Sequence, residues 1–276
     1  MPNAIDLIAA QHAAMLACRH ICSKIQSDRA RLASITVETK SLGDVASAID
    51  REAEDILRTR LLAVLPGSKF LGEESGGILT DAPTWIVDPI DGTANYLRGY
   101  PHYAVCVALA VGGDPVLGVI ADPSRGELFT AVRGAGAWLQ RMDAQLGVSA
   151  GPAPAAQRLH CAQRSDPFQC TVATVFPKPK AAFMDAYQAE LGRALKSFGQ
   201  VRRSGSMALD LAYLAAGRID AFWERGMGAW DAAAGIVLLR EAGAQVWSVD
   251  GLPLLESQVL AAATPEIQSA LQATLA

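Results

Sequence analysis

Three short segments place carboxylates where an apolar run breaks off. Gly72-Glu73-Glu74-Ser75 follows the apolar stretch that begins at Lys69. Trp85-Ile86-Val87 runs straight into Asp88, Pro89 forces a turn, and Asp91-Gly92-Thr93 follows. Asp231 stands between Trp230 and Ala232-Ala233-Ala234-Gly235, opening an otherwise apolar segment. Each acid lies at the end of an expected strand or the start of an expected helix, where loops gather on a rigid scaffold. Taken singly, Asp231 is an ordinary helix N-cap, Asp91-Gly92 an ordinary turn, and Glu73-Glu74 a solvated pair. Their joint occurrence after apolar strands points instead to one cleft. Carboxylates converging there repel each other and titrate higher unless cations bind among them. Hard oxygen donors of this kind suit Mg²⁺, which keeps water and phosphate oxygens in its octahedral shell. The Pro89 turn offers the Ile90 carbonyl to the same ion. Gly92 permits close backbone approach, so Asp91-Gly92-Thr93 is also a candidate anion nest, with the Thr93 hydroxyl placed to orient an attacking water.

The elements that must position these residues change period along the chain. Small and apolar residues at three and four spacings predict a helix over Ala4 to Ile25, with Ile8, His12, Met15, Cys18, Ile21 and Cys22 on one face. A second helix is expected over Val45 to Leu65, with Val45, Ile49, Ala53, Ile56, Leu57 and Leu61 aligned, stopped by Pro66-Gly67. The polar segment Thr36 to Asp44, carrying Lys40, is expected to be a mobile loop that closes over the site. Short β-rich runs at Lys69–Gly72, Thr84–Asp88, Tyr103–Val111, Val116–Ala121, Glu127–Val132 and Gly134–Leu139 predict an antiparallel sheet. A Gly/Pro/Ala-rich stretch near Ser149–Ala156 marks a boundary. Strands are then expected near Arg158–Cys161, Gln200–Arg203, Ile219–Glu224 and, last, Gln245–Val249. They alternate with helices over Ala181–Lys196, Met207–Ala216 and Ala232–Ala242. The chain thus reads as an α+β half, residues 1–150, carrying most of the metal ligands. It is joined to an α/β half, residues 151–276, carrying Asp231 and the substrate-pocket residues.

Composition excludes several function classes. The net charge of −4, without a Lys/Arg cluster, leaves no footprint for nucleic acid or a membrane surface. No stretch approaches the ~20 apolar residues of a membrane span, and with no basic start ahead of an apolar block no signal peptide is expected. The five cysteines (Cys18, Cys22, Cys106, Cys161, Cys170) are odd in number and irregularly spaced, so they read as reduced, buried hydrophobes. The expectation is a soluble protein of a reducing, cytoplasmic compartment.

The Glu73-Glu74, Trp85–Tyr96 and Trp230–Gly235 segments resemble the signatures of the inositol monophosphatase family, a lithium-sensitive, Mg²⁺-dependent group. Gly43–Asp50 resembles that family's D-x-V-T-x-x-D element. Arg203–Ser206 and Ala216–Glu224 are similar to its bacterial branch. The resemblance spans about residues 5 to 270 and is weakest over Gly151–Gln200.

It implies a layered αβαβα sandwich of the sugar-phosphatase type, a homodimer, and two to three Mg²⁺ ions per site. Glu73, Asp88 and the Ile90 carbonyl are implied to bind a first ion, and Asp88, Asp91 and Asp231 a second. Glu73 would hold a weaker third, with Asp50 acting through water. Asp50 and Thr93 would activate the nucleophilic water, Asp91, Gly92 and Thr93 would hold the phosphate, and Ser206, Met207 and Glu224 would face the alcohol. The implied reaction hydrolyses inositol monophosphate to inositol and phosphate. Alternatives are histidinol phosphate, fructose 1,6-bisphosphate or a nucleotide 3′-phosphate as substrate, a regulatory binding role in transcription, or Mg²⁺ binding without turnover. The four histidines (His12, His20, His102, His160) are expected to be structural or surface residues. Ser47 and Ala94 stand where the family commonly has Thr, and Met207 where it often has Ala.

Overall fold

The computed structural model describes residues 5–29, 37–41, 44–142 and 156–276. Its order is α1 (Leu7–Asp28), β1 (Val37–Ser41), β2 (Asp44–Ser47), α2 (Ala48–Val64), β3 (Lys69–Gly72), β4 (Thr84–Asp91), α3 (Thr93–Leu97), β5 (Ala104–Val111) and β6 (Asp114–Asp122). Then come β7 (Glu127–Val132), β8 (Gly136–Arg141), β9 (Gln157–Arg158), β10 (Thr171–Thr174), α4 (Met184–Ser197) and β11 (Gln200–Arg202). The chain ends with α5 (Met207–Ala215), β12 (Ala221–Arg225), α6 (Ala229–Ala242), β13 (Gln245–Ser248), β14 (Val259–Ala263) and α7 (Gln268–Leu275).

The strands β3 to β9 form one sheet in sequence order, and a second runs β11-β10-β12-β14-β13. Strand alternation sorts side chains onto opposite faces. On β5, Val105, Val107 and Leu109 pack with α1 and α2, whereas Ala104, Cys106 and Ala108 pack with α5 and α6. On β12, Phe222 joins the α5/α6 side and Trp223 the opposite side, against α4 and α7. The layers are therefore α1/α2, the larger sheet, α5/α6, the smaller sheet and α4/α7: the expected αβαβα sandwich. Among the described residues, no helix is long and apolar enough to cross a membrane.

Small residues let the middle helices approach the large sheet closely. A Cβ on Gly118 of β6 would lie 2.4 Å from the Ala234 carbonyl oxygen and 2.9 Å from its Cα, both backbone atoms of α6. Gly118→Ala is accordingly expected to lower unfolding free energy by about 2–3 kcal/mol, because neither backbone yields without shifting the helix that carries Asp231. Urea denaturation measures this, and a change below about 0.5 kcal/mol would contradict the close packing.

Several local expectations need correction. Where a mobile loop was expected, Val37–Ser41 form β1, which pairs antiparallel with β2 from Asp44 onward; Thr36, Leu42 and Gly43 lie outside the described residues. The β-forming residues Val37, Thr39 and Val45 favour this, so α2 starts at Ala48 and Val45 is in a strand. On α1 the buried stripe is Ala10, Ala14, Ala17, Cys18, Ile21, Cys22 and Ile25, while Ile8 and His12 are exposed. The larger sheet is not wholly antiparallel, since β3 pairs parallel with β4. The strand expected over Arg158–Cys161 reduces to β9, which pairs with β8. The elements β10, β14 and α7 were not anticipated. The Ser149–Ala156 boundary falls, apart from Ala156, outside the described residues. All five cysteines are free thiols, four of them buried.

Candidate metal centre and active-site cleft

Strand alternation aims the acids inward. Asp88 continues the face of Ile86, which packs against α5 and α6, and the whole of β4 is buried. The register of β4 against β5 then shifts between Asp88 and Asp91, a bulge at Pro89 that brings a second carboxylate to the same end of the strand. Glu224 likewise continues the Phe222 face of β12. From the middle layer, α6 supplies Asp231. This residue is not the N-cap: the helix begins at Ala229, and Asp231 sits in its first turn, its Oδ2 accepting the Gly228 N–H at 2.6 Å.

Oxygens of Asp88, Asp91 and Asp231 lie within 4.8 Å of one another. They open into a cleft of about 440 Å³ that Glu73, Ile90, Gly92, Thr93, Met207 and Glu224 also line. Burial pushes the Asp88 carboxyl well above the usual carboxylate range, and Glu73, Asp91 and Asp231 reinforce this by repulsion. Burial pushes Asp91 up to about 6, although hydrogen bonds from Ser206 and the Ala208 N–H pull it back. Asp231 is raised by burial and by Asp91 and Glu73, against the opposing influence of the Gly228 N–H and Lys178. Buried oxygen donors that raise one another's pKa fit a hard divalent cation, which relieves both burial and repulsion.

The surrounding contacts fix these groups. The Ile90 N–H donates to Asp88 Oδ1 at 2.9 Å. Asp91 Oδ2 accepts from the Ser206 hydroxyl at 2.5 Å and from the Ala208 N–H at 2.8 Å, tying β4 to the start of α5. Ser206 is therefore turned toward Asp91, buried behind the cleft and not lining it. The Thr93 hydroxyl lies 2.9 Å from Asp50 Oδ1 and 3.0 Å from the Ile90 carbonyl. Asp50, on the first turn of α2, is fully buried. Gly92 has φ +89°, and a Cβ there would meet the Gly205 and His102 carbonyl oxygens at 3.0 and 3.1 Å. Met207 is buried at the cleft wall, at the start of α5. Glu224 Oε2 is buried without a hydrogen-bond partner, and burial followed by repulsion from Asp231 raises its carboxyl well above the ordinary value.

Three contributors escaped the sequence reading. Asn95 Nδ2 donates to the His102 and Ser204 carbonyls at 2.8 and 3.0 Å, closing the 92–95 turn against the 204–205 segment. Lys178 and Gln258 line the cleft from loops whose sequences carry no distinguishing pattern. Of the histidines, His102 is buried and the other three are exposed.

The chain matches the model of the inositol monophosphatase family over residues 7–276. An inositol-1-monophosphatase of Mesorhizobium japonicum is 38% identical over 250 residues, covering 90% of this chain and 88% of the relative. A protein of Xylella fastidiosa named Nus factor SuhB is 40% identical over 221 residues, covering 80% and 75%. Among solved structures, the extragenic suppressor protein SuhB of Bartonella henselae superposes with a TM-score of 0.84 at 34% identity, covering 96% of this chain and 97% of that one. With its family match running almost end to end and its acids gathered at one cleft, this chain belongs to the inositol monophosphatase family.

Proposed function

We propose that this protein is a Mg²⁺-dependent phosphomonoesterase that hydrolyses inositol monophosphate to inositol and phosphate. The observation that carries this reading is the Asp88–Asp91–Asp231 cluster, its first two carboxylates buried and the third half-buried, opening beside the Gly92 turn. Glu73, Asp88, the Ile90 carbonyl, Asp91 and Asp231 would hold two to three Mg²⁺ ions. Magnesium bound there supplies positive charge for the phosphoryl oxygens and acidifies a water. The chain's own residues do the positioning. The backbone at Gly92 and Thr93 receives the phosphate. Thr93 Oγ1 passes its proton toward Asp50, leaving its lone pairs to accept a proton from the attacking water. Glu224 and Met207 face the alcohol, and Ser206 holds Asp91 in place. We further infer a homodimer of a reducing, cytoplasmic compartment, inhibited by lithium.

Steady-state rates at saturating Mg²⁺ on myo-inositol 1-phosphate, histidinol phosphate, fructose 1,6-bisphosphate and a nucleotide 3′-phosphate test the substrate. The highest kcat/KM is expected for the inositol ester; equal values would indicate a generalist, and a clear preference for another ester would replace the assignment. Lys178 is the one basic side chain lining the cleft among the described residues, and its charge works against the raised pKa of Asp231. Lys178→Met should raise KM for these anionic esters about tenfold with little change in kcat, the effect of removing one partly screened charge. An unchanged KM would place Lys178 outside the substrate's reach.

A second reading is favoured by the Nus factor name of the Xylella relative: a regulatory role in transcription that does not require catalysis. A transcription defect in a deletion strain that Asp91→Asn repairs as well as wild type would support it. Repair by the active protein alone would exclude it.

A further inference from the structure

The acid that reaches into the cleft from β3 sits on a tight turn, and the turn's amide hydrogens can all be followed to acceptors. The Gly72 and Gly76 N–H groups donate to each other's carbonyls at 3.0 Å, and the Glu73 N–H donates to the Val87 carbonyl at 3.1 Å. The two remaining amides, Glu74 and Ser75, donate to one side chain: Glu54 Oε2 at 2.8 Å and Oε1 at 2.9 Å. Both oxygens of a single carboxylate are thus committed to the backbone on the far side of Glu73. Glu54 is only 2% exposed, a level at which a carboxylate needs such donors. A Cβ on Gly72 would lie 2.4 Å from Glu54 Cδ, so the glycine is what lets the carboxylate reach under the turn.

Glu54 belongs to a row. Asp50, Glu54 and Arg58 stand four apart on α2 and therefore share one face of the helix. Asp50 bonds the Thr93 hydroxyl, Glu54 bonds the Glu74 and Ser75 amides, and Arg58 bonds the Ser75 hydroxyl while covering the Phe70 ring at 4.6 Å. One helical face thus grips both the strand end that carries Glu73 and the turn that carries Thr93.

We infer that Glu54 is a positioning residue for the metal site: its bidentate hold on the 74–75 backbone fixes where Glu73 presents its carboxylate. This rests on Glu73 holding a metal, as proposed above. Partners of this kind typically change metal affinity 10- to 100-fold when removed. Glu54→Gln keeps the shape but offers one acceptor oxygen, so its amide nitrogen confronts a backbone N–H that must lose its partner. Gly72→Ala displaces the carboxylate from the opposite side and leaves Glu54 and Glu73 in the sequence.

The test is Mg²⁺ binding to metal-free protein by calorimetry, for wild type, Glu54→Gln, Gly72→Ala and a Glu73→Gln control. It is accompanied by hydrogen exchange at the Glu74 and Ser75 amides and by kcat at saturating Mg²⁺. Glu54→Gln and Gly72→Ala are expected to weaken the Glu73-dependent binding about tenfold. Exchange at those two amides should accelerate, while kcat at saturating metal changes less than about threefold, a split that general loss of stability does not give. If Glu73→Gln weakens binding and the other two variants do not, the positioning role is overturned while the metal reading stands. If Glu73→Gln leaves binding unchanged, Glu73 is not a ligand and both fall. Should Glu54→Gln fail to fold, Gly72→Ala decides the matter by the same readouts.

Discussion

Asp88→Asn is expected to reduce phosphate release by about 1,000-fold and, at the same time, to stabilise the metal-free protein at pH 7.5. The first effect follows from removing a carboxylate proposed above to hold Mg²⁺, where charge stabilisation of several kcal/mol is at stake. The second follows from linkage. Burial and the neighbouring acids raise the folded-state pKa of Asp88 above its unfolded value. A raised carboxylate contributes stability below the unfolded pKa and loses that contribution as pH climbs through the folded pKa. At pH 7.5 the metal-free wild type therefore carries a penalty that Asn lacks, and Asn Oδ1 still accepts the Ile90 N–H. The variant's Tm should exceed wild type's at pH 7.5 without metal, and the gap should close as pH falls toward 4. Adding Mg²⁺ should raise the wild-type Tm and leave the variant nearly unmoved. Because Asp91 is pushed up to about 6, proton competition should also weaken metal binding as pH drops below about that value. Melting curves at several pH values check all of this; a variant less stable than metal-free wild type at pH 7.5 would contradict the repulsive cluster.

Asp50→Asn is expected to lower kcat about 100- to 10,000-fold while leaving Mg²⁺ affinity within a few-fold of wild type. The buried Asp50 carboxylate accepts from Thr93 Oγ1 at 2.9 Å, and Thr93 lines the cleft where Asp50 does not. Asparagine preserves the shape and one acceptor but cannot take up a proton passed on by the hydroxyl. Thr93→Val removes the relay at its other end, so the double variant should be no slower than the slower single one. The comparison is of kcat at saturating metal and substrate, with binding measured separately. Additive losses, or losses appearing only as weaker metal binding, would remove the pair from proton transfer.

These expectations come from features that were unequally legible in the sequence. Asp88 could be placed because an apolar strand of alternating faces runs into it, and the parity of Ile86 carries it to the α6 side. The position of Asp231 was legible but its cap role was not, since α6 begins at Ala229 after a glycine N-cap that has no side chain to mark the start. Glu54 was invisible: among Asp50, Arg51, Glu52 and Asp55 it reads as a solvated helix face, and only the docking of the β3 turn buries it. The alanine-rich strand β14 has helix-favouring residues, and pairing with β12 on one side and β13 on the other overrides that preference. The parallel pairing of β3 with β4 depends on a connection whose path no local pattern encodes. What could be read locally was the chemistry of the acids and the period of the long elements. What could not was the set of contacts between segments distant in sequence.

Metal-dependent phosphomonoester hydrolysis at the acidic cleft can be tested on the intact protein. The most direct measurement is phosphate release from myo-inositol 1-phosphate by chelator-stripped wild-type protein as Mg²⁺ is added back. No turnover is expected without metal, and a saturable rise in rate as Mg²⁺ is added. Turnover that is undiminished in the stripped protein, or none at any Mg²⁺ concentration on this or any other phosphate ester, would contradict that expectation.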